Sequence, residues 1–168
     1  DSEQANRVES TALALFDQVA EAWSLNPDDR RLLAWAARIH EIGLAVAHSQ
    51  YHQHGAYVVE HSDIAGFSRS EQQFLAALVR NQRRGLNLDI IEALPDRQAE
   101  AALHCAQLLR LSVLLHRSHA REPIPLGRLR ASDAALKLEL PGAWLVSHPL
   151  TQADLATEID YLREKERK

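Results

Sequence analysis

The sequence of 168 residues has no methionine, a single cysteine and no long apolar run. One cysteine, Cys105, cannot form an internal disulfide, which excludes a secreted disulfide scaffold and favours a reducing compartment. No stretch approaches the roughly 18 consecutive apolar residues of a membrane-spanning helix. An apolar fraction of 46% excludes an intrinsically disordered chain. We therefore expect a folded cytoplasmic domain with no transmembrane segment, for which peripheral membrane association stays open.

The lack of methionine, of glycine-rich loops and of many aromatic residues limits the classes of protein that this chain can belong to. Because a complete gene product normally begins with methionine, the absence of this residue indicates a piece of a longer protein. The six glycines form neither Gly-x-Gly-x-x-Gly nor a Gly-Lys-Ser or Gly-Lys-Thr loop, so the sequence contains no glycine-rich phosphate loop. Nine aromatic residues, no recognised binding motif and a net charge of −4 argue against a nucleic-acid partner.

Charge is unevenly distributed along the chain. Residues 1–68 contain 4 basic and 10 acidic side chains, whereas residues 69–130 contain 10 basic and 6 acidic ones. The basic residues of this middle segment are all arginines. A local arginine excess in an acidic protein suggests an anionic partner that binds at one place, although a solvated arginine-rich face would give the same pattern.

Hydrophobic periodicity predicts a mainly α-helical fold. Asp28 or Asp29 is expected to cap the second helix, and Ser68 with Glu71 has the spacing of a capping box. The predicted helices cover residues 3–23, 28–42, a short segment ending near 62, a segment from 69 into 80–85, and 96–118. Alternating runs at 126–130 and 134–140 then predict a hairpin before a last amphipathic helix. We predict a helical domain over residues 1–122 and a small α+β subdomain over residues 123–168.

The densest group of polar side chains follows the second predicted helix. It consists of His40, Glu41, His48, His52 and His54. Four imidazoles and a carboxylate are typical ligands for zinc, manganese or iron. A phosphate site would use the same imidazoles as hydrogen-bond donors with arginine nearby. A third interpretation makes His40 a hydrogen-bonded core residue and the others turn residues.

Four arginines add to this group. Arg110 lies in a helix that is apolar almost all round, so we expect it to be buried and to need a carboxylate or a bound anion. Glu41 is the expected carboxylate. Arg80, Arg83 and Arg84 follow one another at the end of a predicted helix. They either balance the helix dipole or contact phosphate oxygens along a groove.

Several segments of the sequence resemble one family. LLAWAARIHEIG at 32–43 and HSQYHQHGAY at 48–57 resemble the C-terminal region of the exopolyphosphatase and guanosine pentaphosphate phosphatase family. QLLRL at 107–111 and HPLT at 148–151 extend the resemblance, which covers essentially the whole chain. In that family an N-terminal actin-like module with magnesium hydrolyses the phosphoanhydride. The C-terminal half is helical and related to HD-domain phosphohydrolases.

The resemblance also implies how an HD-type metal site would map onto this chain. Gln4 falls at the first histidine, His40-Glu41 at the His-Asp pair, and Val113 near the late aspartate. Since glutamine and valine are not useful ligands there, we expect an HD-domain-like helical bundle without a working metal centre.

The function that the resemblance implies is substrate holding. We expect the C-terminal substrate-holding and dimerisation domain of an exopolyphosphatase, with no catalytic residue, metal or cofactor of its own and with magnesium in the absent catalytic half. The expected partners are inorganic polyphosphate, the N-terminal catalytic domains and a second copy of the chain. One alternative is the corresponding domain of a guanosine pentaphosphate phosphatase, and another is a dimerisation module without a ligand. The candidate phosphate-binding residues are His40, Glu41, His48, His52, His54, Arg80, Arg83, Arg84 and Arg110.

Overall fold

The computed structural model describes residues 2–41, 51–61, 66–125, 127–132 and 135–167. These residues form eight helices and one two-stranded sheet, which confirms a mainly α fold with a small appendage. In chain order the elements are α1 Ser2–Val19, α2 Pro27–Ile39, α3 Tyr51–His61, α4 Arg69–Arg80, α5 Leu88–Glu92, α6 Asp96–Leu115, β1 Arg128–Ala131, β2 Leu136–Glu139, α7 Gly142–Val146 and α8 Pro149–Arg167. The short helix α5 was not predicted.

Local capping fixes where two helices begin. The Ser68 side chain accepts a hydrogen bond from the Glu71 backbone amide, and the Glu71 carboxylate accepts one from the Ser68 amide, which confirms the predicted capping box. The cap of α2 differs from the prediction. Asn26 is the N-cap, and its side chain accepts a hydrogen bond from the backbone amide of Asp29, the third helical residue. The Asp29 carboxylate in turn accepts one from the Asn26 amide. Pro27 begins the helix because its fixed φ suits the first helical position.

The core is built around α6. Its side chains are buried on nearly every side, and Cys105, Leu108 and Leu109 are all fully buried. α1, α2 and α4 pack against α6 with apolar faces whose members include Val8, Leu33 and Leu78. Burial raises the pKa of the Cys105 thiol, so this cysteine is an unreactive core residue.

The C-terminal elements dock onto the bundle at two places. Strands β1 and β2 pair antiparallel with Arg128 opposite Glu139, and Leu129 contributes to the main core. The Gln18 side chain donates to the Gly127 carbonyl at 3.0 Å and accepts from the Leu129 amide at 2.8 Å, which ties the hairpin to α1. Helix α8 contacts α6. The proposed division into two domains at residue 122 stays a prediction.

A side chain at Gly127 would collide with the hairpin. Its Cβ would lie 2.8 Å from Leu140 Cδ2 and 2.9 Å from the Glu139 carbonyl oxygen, so only glycine fits. Among the described residues, no helix is both long enough and apolar enough to cross a membrane.

Candidate functional site

Arg110 is a buried cation whose hydrogen bonds are all made within the protein. Its guanidinium donates to the Glu158 carboxylate at 2.6 and 2.8 Å, to the Asn81 carbonyl at 2.8 Å and to the Arg84 carbonyl at 2.6 Å. The side chains of Arg110 and Glu158 are 2% and 8% exposed, so this is a buried ion pair. The expectation that Arg110 is buried is confirmed. The expectation that Glu41 is its partner is wrong, because α8 supplies the carboxylate instead.

The hydrogen bonds of Arg110 shape the turn that follows α4. Two carbonyls of this turn accept from one guanidinium, and the Asn81 side chain bonds the backbone of Ala77 and Asn87. Arg84 adopts a φ of 58°, a left-handed conformation that is uncommon for residues other than glycine. Tyr161 covers the guanidinium of Arg110, with its ring centre 5.3 Å away. Arg110 therefore acts as a positioning residue for the end of α4.

The arginines presented by this turn, Arg80, Arg83 and Arg84, are called the arginine cluster below. Arg80 is partly buried, and desolvation lowers its pKa. Neither the Arg80 nor the Arg84 side chain makes a hydrogen bond or ion pair with another described residue. Cations in the last turn of a helix are favoured by its dipole, but that interaction does not require burial. A partly buried guanidinium without a carboxylate is well suited to bind an anion.

His52 on α3 is the buried neighbour of the arginine cluster. The residue is only 3% exposed. Burial, followed by the positive charges of Arg80, Arg83, Arg84 and Arg110, lowers the pKa of His52 to about 4. The imidazole is consequently neutral at pH 7. The structure thus brings four of the predicted arginines and one predicted histidine to the same part of the molecule.

His40 and Glu41 lie at the end of α2 and have different electrostatic neighbours. His40 is 2% exposed, its ring Nδ1 contacts the Ala37 carbonyl, and burial lowers its pKa. The His40 Nε2 atom lies 4.0 Å from the Glu41 carboxylate, which is itself 3.4 Å from His119 Nε2. Gln82 donates to the His40 carbonyl and so links this end of α2 to the turn after α4.

The residues at the other HD positions are structural. Gln4 is buried and donates to the His116 carbonyl at 2.7 Å, while the His116 ring lies 2.7 Å from the Thr11 hydroxyl. Val113 is part of the apolar core. Among the described residues, no group of three or more histidine, cysteine, aspartate or glutamate side chains could hold a metal. The polar groups at this end instead join α1 to α6.

The two remaining predicted site residues are His54 and His48. His54 lies two positions after His52 on α3 and therefore faces a different side of that helix. His48 falls outside the described residues. Glu158 was missed by the sequence reasoning. Its signal was its position, since it lies three residues after Leu155 on the buried side of an amphipathic helix.

Comparison with known proteins identifies the class of protein. Residues 1–159 match the family model described as Ppx/GppA phosphatase, domain III, so the chain belongs to that family. Two relatives are guanosine-5'-triphosphate,3'-diphosphate pyrophosphatases, one from Aeromonas salmonicida strain A449 and one from Aeromonas hydrophila subsp. hydrophila. Each is 34% identical over 161 residues, which are 95% of this chain and 32% of the relative. The chain therefore spans about one third of the length of these relatives.

Proposed function

We propose that this chain is the substrate-holding domain of a hydrolase that acts on guanosine 5'-triphosphate 3'-diphosphate. The family is a phosphatase family, and both relatives named above carry that pyrophosphatase activity in their names. The sequence-based expectation of an exopolyphosphatase is the second candidate, since the names of the relatives favour its alternative. Both substrates present the same chemistry, a chain of phosphoanhydride-linked phosphates.

The observation that carries the proposal is the arginine cluster. Arg80 has lost part of its hydration without gaining a carboxylate among the described residues, and Arg84 lies in the turn whose backbone Arg110 holds. Phosphate oxygens would supply the missing acceptors as charge-assisted hydrogen bonds. Three arginines that follow closely in the sequence also suit the repeating charge of a phosphate chain better than the charge of a single carboxylate.

The second candidate is favoured by the number of cations. A long polyphosphate carries about one charge per phosphate, and binding to arginines releases its counterions. The affinity should therefore fall as the salt concentration rises. A guanosine nucleotide would contact the arginine cluster through its own few phosphate groups only. In a complete enzyme, a long chain would reach this domain while its end occupies the catalytic half.

The test is a calorimetric titration of the chain with guanosine pentaphosphate and with long polyphosphate at two salt concentrations. The triple variant R80Q/R83Q/R84Q is compared with R69Q/R128Q/R130Q, which removes the same charge from exposed arginines elsewhere. We expect saturable, salt-sensitive binding that the first variant loses and the second retains. Equal losses in both variants would show a non-specific charge effect and would overturn the proposal.

A separate experiment tests whether hydrolysis is confined to the N-terminal catalytic half. We expect the isolated chain with magnesium to release no phosphate from either substrate. Turnover that survives repurification and is abolished by a substitution within these 168 residues would contradict this expectation. Sedimentation of the same samples tests dimerisation. A tight dimer that binds neither phosphate compound would instead support a purely structural module.

A further inference from the structure

An apolar cavity lies where the C-terminal elements meet α6. Its volume is about 210 Å³, and its walls come from α6, the hairpin, α7 and α8. Leu111, Leu138, Leu145 and Leu155 line it, one from each of these four parts of the fold. The cavity is much larger than one water molecule needs, but smaller than the roughly 300 to 1,000 Å³ of pockets for drug-sized ligands. Its size therefore suits one small molecule.

Two periodic patterns in the sequence produce this apolar lining. Leu136, Leu138 and Leu140 alternate with charged residues, and successive side chains of a strand point to opposite faces of the sheet. The three leucines line the cavity, whereas the charged residues between them are exposed. On α8, Leu155 and Ile159 are four residues apart and share one face of the helix. Both patterns direct apolar side chains to the same cavity.

The polar side chains in the lining are Gln107 and Glu158. Both oxygens of the Glu158 carboxylate accept hydrogen bonds from Arg110, at 2.6 and 2.8 Å, so its charge is already balanced. Gln107 is uncharged. Among the described residues that line the cavity, none is a cation, so an anionic ligand would lose its hydration without gaining an ion pair.

We infer that this cavity binds one small uncharged apolar molecule, which has a single aromatic ring or a short aliphatic chain. A cavity of roughly 150 Å³ lined by leucine, isoleucine and phenylalanine stays dry and binds benzene. The cavity beside α8 has the same kind of lining and more room. Removal of the ligand's apolar surface from water drives binding. The inference goes beyond the proposed function and does not depend on it, because a phosphate compound carries the wrong chemistry for this cavity.

A molecule bound here would stabilise the docking of α8. Leu155, Glu158 and Ile159 form part of the lining, so the cavity is complete only while α8 packs against α6. A ligand that binds this arrangement alone shifts the equilibrium towards it. The same docking keeps Glu158 paired with Arg110. We therefore expect the unfolding temperature of the chain to rise with the ligand concentration.

The probe is toluene, and its charged counterpart is benzoate, in which a carboxylate replaces the methyl group. Each is titrated into the chain while NMR records the leucine and isoleucine methyl groups. L145F, which places a larger side chain at the cavity, is compared with L150F, the same substitution at a leucine that is 81% exposed. With toluene we expect saturable shifts of the lining methyl groups in the wild type and L150F, and an affinity at least about tenfold lower in L145F. We expect no saturable shifts with benzoate.

The wild-type titration decides the inference by itself if L145F does not fold. Saturation at the lining methyl groups, together with a rise in the unfolding temperature, supports the cavity as a binding site. Shifts that stay linear in toluene, that spread to exposed methyl groups such as those of Leu150, or that benzoate reproduces would overturn it. An unchanged affinity in folded L145F would also overturn it. Each of these outcomes leaves the proposed phosphate site untouched, so the two proposals fail separately.

Discussion

The arginine cluster and the junction of α1, α2 and α6 are both polar regions of the same bundle, but they differ in how their polar groups are satisfied. At the junction, Gln4 donates to the His116 carbonyl, the Thr11 hydroxyl bonds the His116 ring, and Glu41 lies beside His119. At the cluster, Arg80 is partly buried and has no hydrogen bond or ion pair with any residue in the described part of the chain. A partly exposed guanidinium without such a contact can donate to an external anion, so the arginine cluster is the better candidate for a ligand site.

Two arginines on either side of the same turn sharpen the contrast. Arg110 is more deeply buried than Arg80, yet it bonds a carboxylate and two carbonyls. Burial of an arginine therefore does not by itself identify a binding residue. The useful criterion is whether the protein supplies the counter-charge.

The largest effect is predicted for Arg110→Ala. This substitution leaves the Glu158 carboxylate buried without its cation and removes the donor to two carbonyls of the turn. We expect the free energy of unfolding to fall by about 3 to 5 kcal/mol, the usual effect of breaking a buried ion pair. Denaturant unfolding at pH 7.5 measures it.

Arg30→Ala is the control for this prediction. Arg30 also makes two hydrogen bonds to one carboxylate, that of Asp17, but both side chains are about half exposed. We expect a loss of no more than about 1 kcal/mol. If the two variants lose similar stability, the Arg110 pair does not behave as a buried ion pair, and its positioning role is wrong.

The second largest effect is an acid destabilisation. The pKa values of His52 and His116 are both lowered to about 4 in the folded protein, by burial first and then by nearby arginines. Below pH 6.5 the unfolded chain binds protons that the folded chain does not, so stability present at neutral pH is lost progressively until about pH 4. Between pH 7.5 and 5.5 we expect a loss of about 2 to 3 kcal/mol.

His116→Gln isolates one contribution to this loss. The variant should retain at least half of the pH dependence, whatever its stability at pH 7.5, because His52 and the buried His40 still resist protonation. Denaturant unfolding at the two pH values gives the comparison. An unchanged pH dependence in the variant would show that His116 is not the neutral imidazole that its burial indicates.

The sequence allowed much of the fold to be predicted, because its signals are local. The Ser68 and Glu71 capping box depends on a spacing of three residues, and the burial of Arg110 followed from its apolar neighbours. The partner of Arg110 could not be predicted in the same way. Glu158 lies 48 residues away, and only the packing of α8 against α6 brings it close.

The candidate site was predicted in part for the same reason. Arg80, Arg83 and Arg84 are adjacent in sequence, so their grouping was visible, whereas the approach of His52 from α3 depends on how α3 packs against α4. The sequence also grouped His40 and Glu41 with the other histidines. In the structure, the side chains that act electrostatically on His40 include Glu41 and His119.

Arg80→Gln should affect binding more than folding. The substitution removes a partly buried charge that has no carboxylate among the described residues, so we expect the free energy of unfolding to stay the same or rise slightly. Binding of long polyphosphate or guanosine pentaphosphate should weaken by about 1 kcal/mol, because one charge-assisted but solvent-screened contact is lost. Arg130→Gln, on an exposed hairpin position, is the control for both measurements. A large loss of stability with unchanged binding would make Arg80 a structural residue.

In the complete enzyme, R80Q/R83Q/R84Q is predicted to reduce processivity on long polyphosphate more than hydrolysis of short chains. Under the proposed function, only a long chain would contact this domain while its end occupied the catalytic half. Product ladders for the wild type and the variant measure the effect. Equal processivity would indicate that the three arginines only balance the helix dipole, and the phosphate path would then have to pass His40, His54 and the end of α2.

The smallest effect is predicted for Glu41→Gln. This variant tests whether phosphate binds at the junction of α1, α2 and α6. The Glu41 carboxylate lies 3.4 Å from a half-exposed His119, so the pair should contribute no more than about 0.5 kcal/mol to stability. Binding of trimetaphosphate, a ring of three phosphates, should be unchanged if the anion binds at the arginine cluster, because Glu41 lies beside His40 and His119. A phosphate chain that did reach the junction would be repelled by Glu41, and the substitution would then strengthen binding several-fold. Tighter binding by this variant would therefore place the phosphate path at the junction, whereas equal affinity confines it to the arginine cluster.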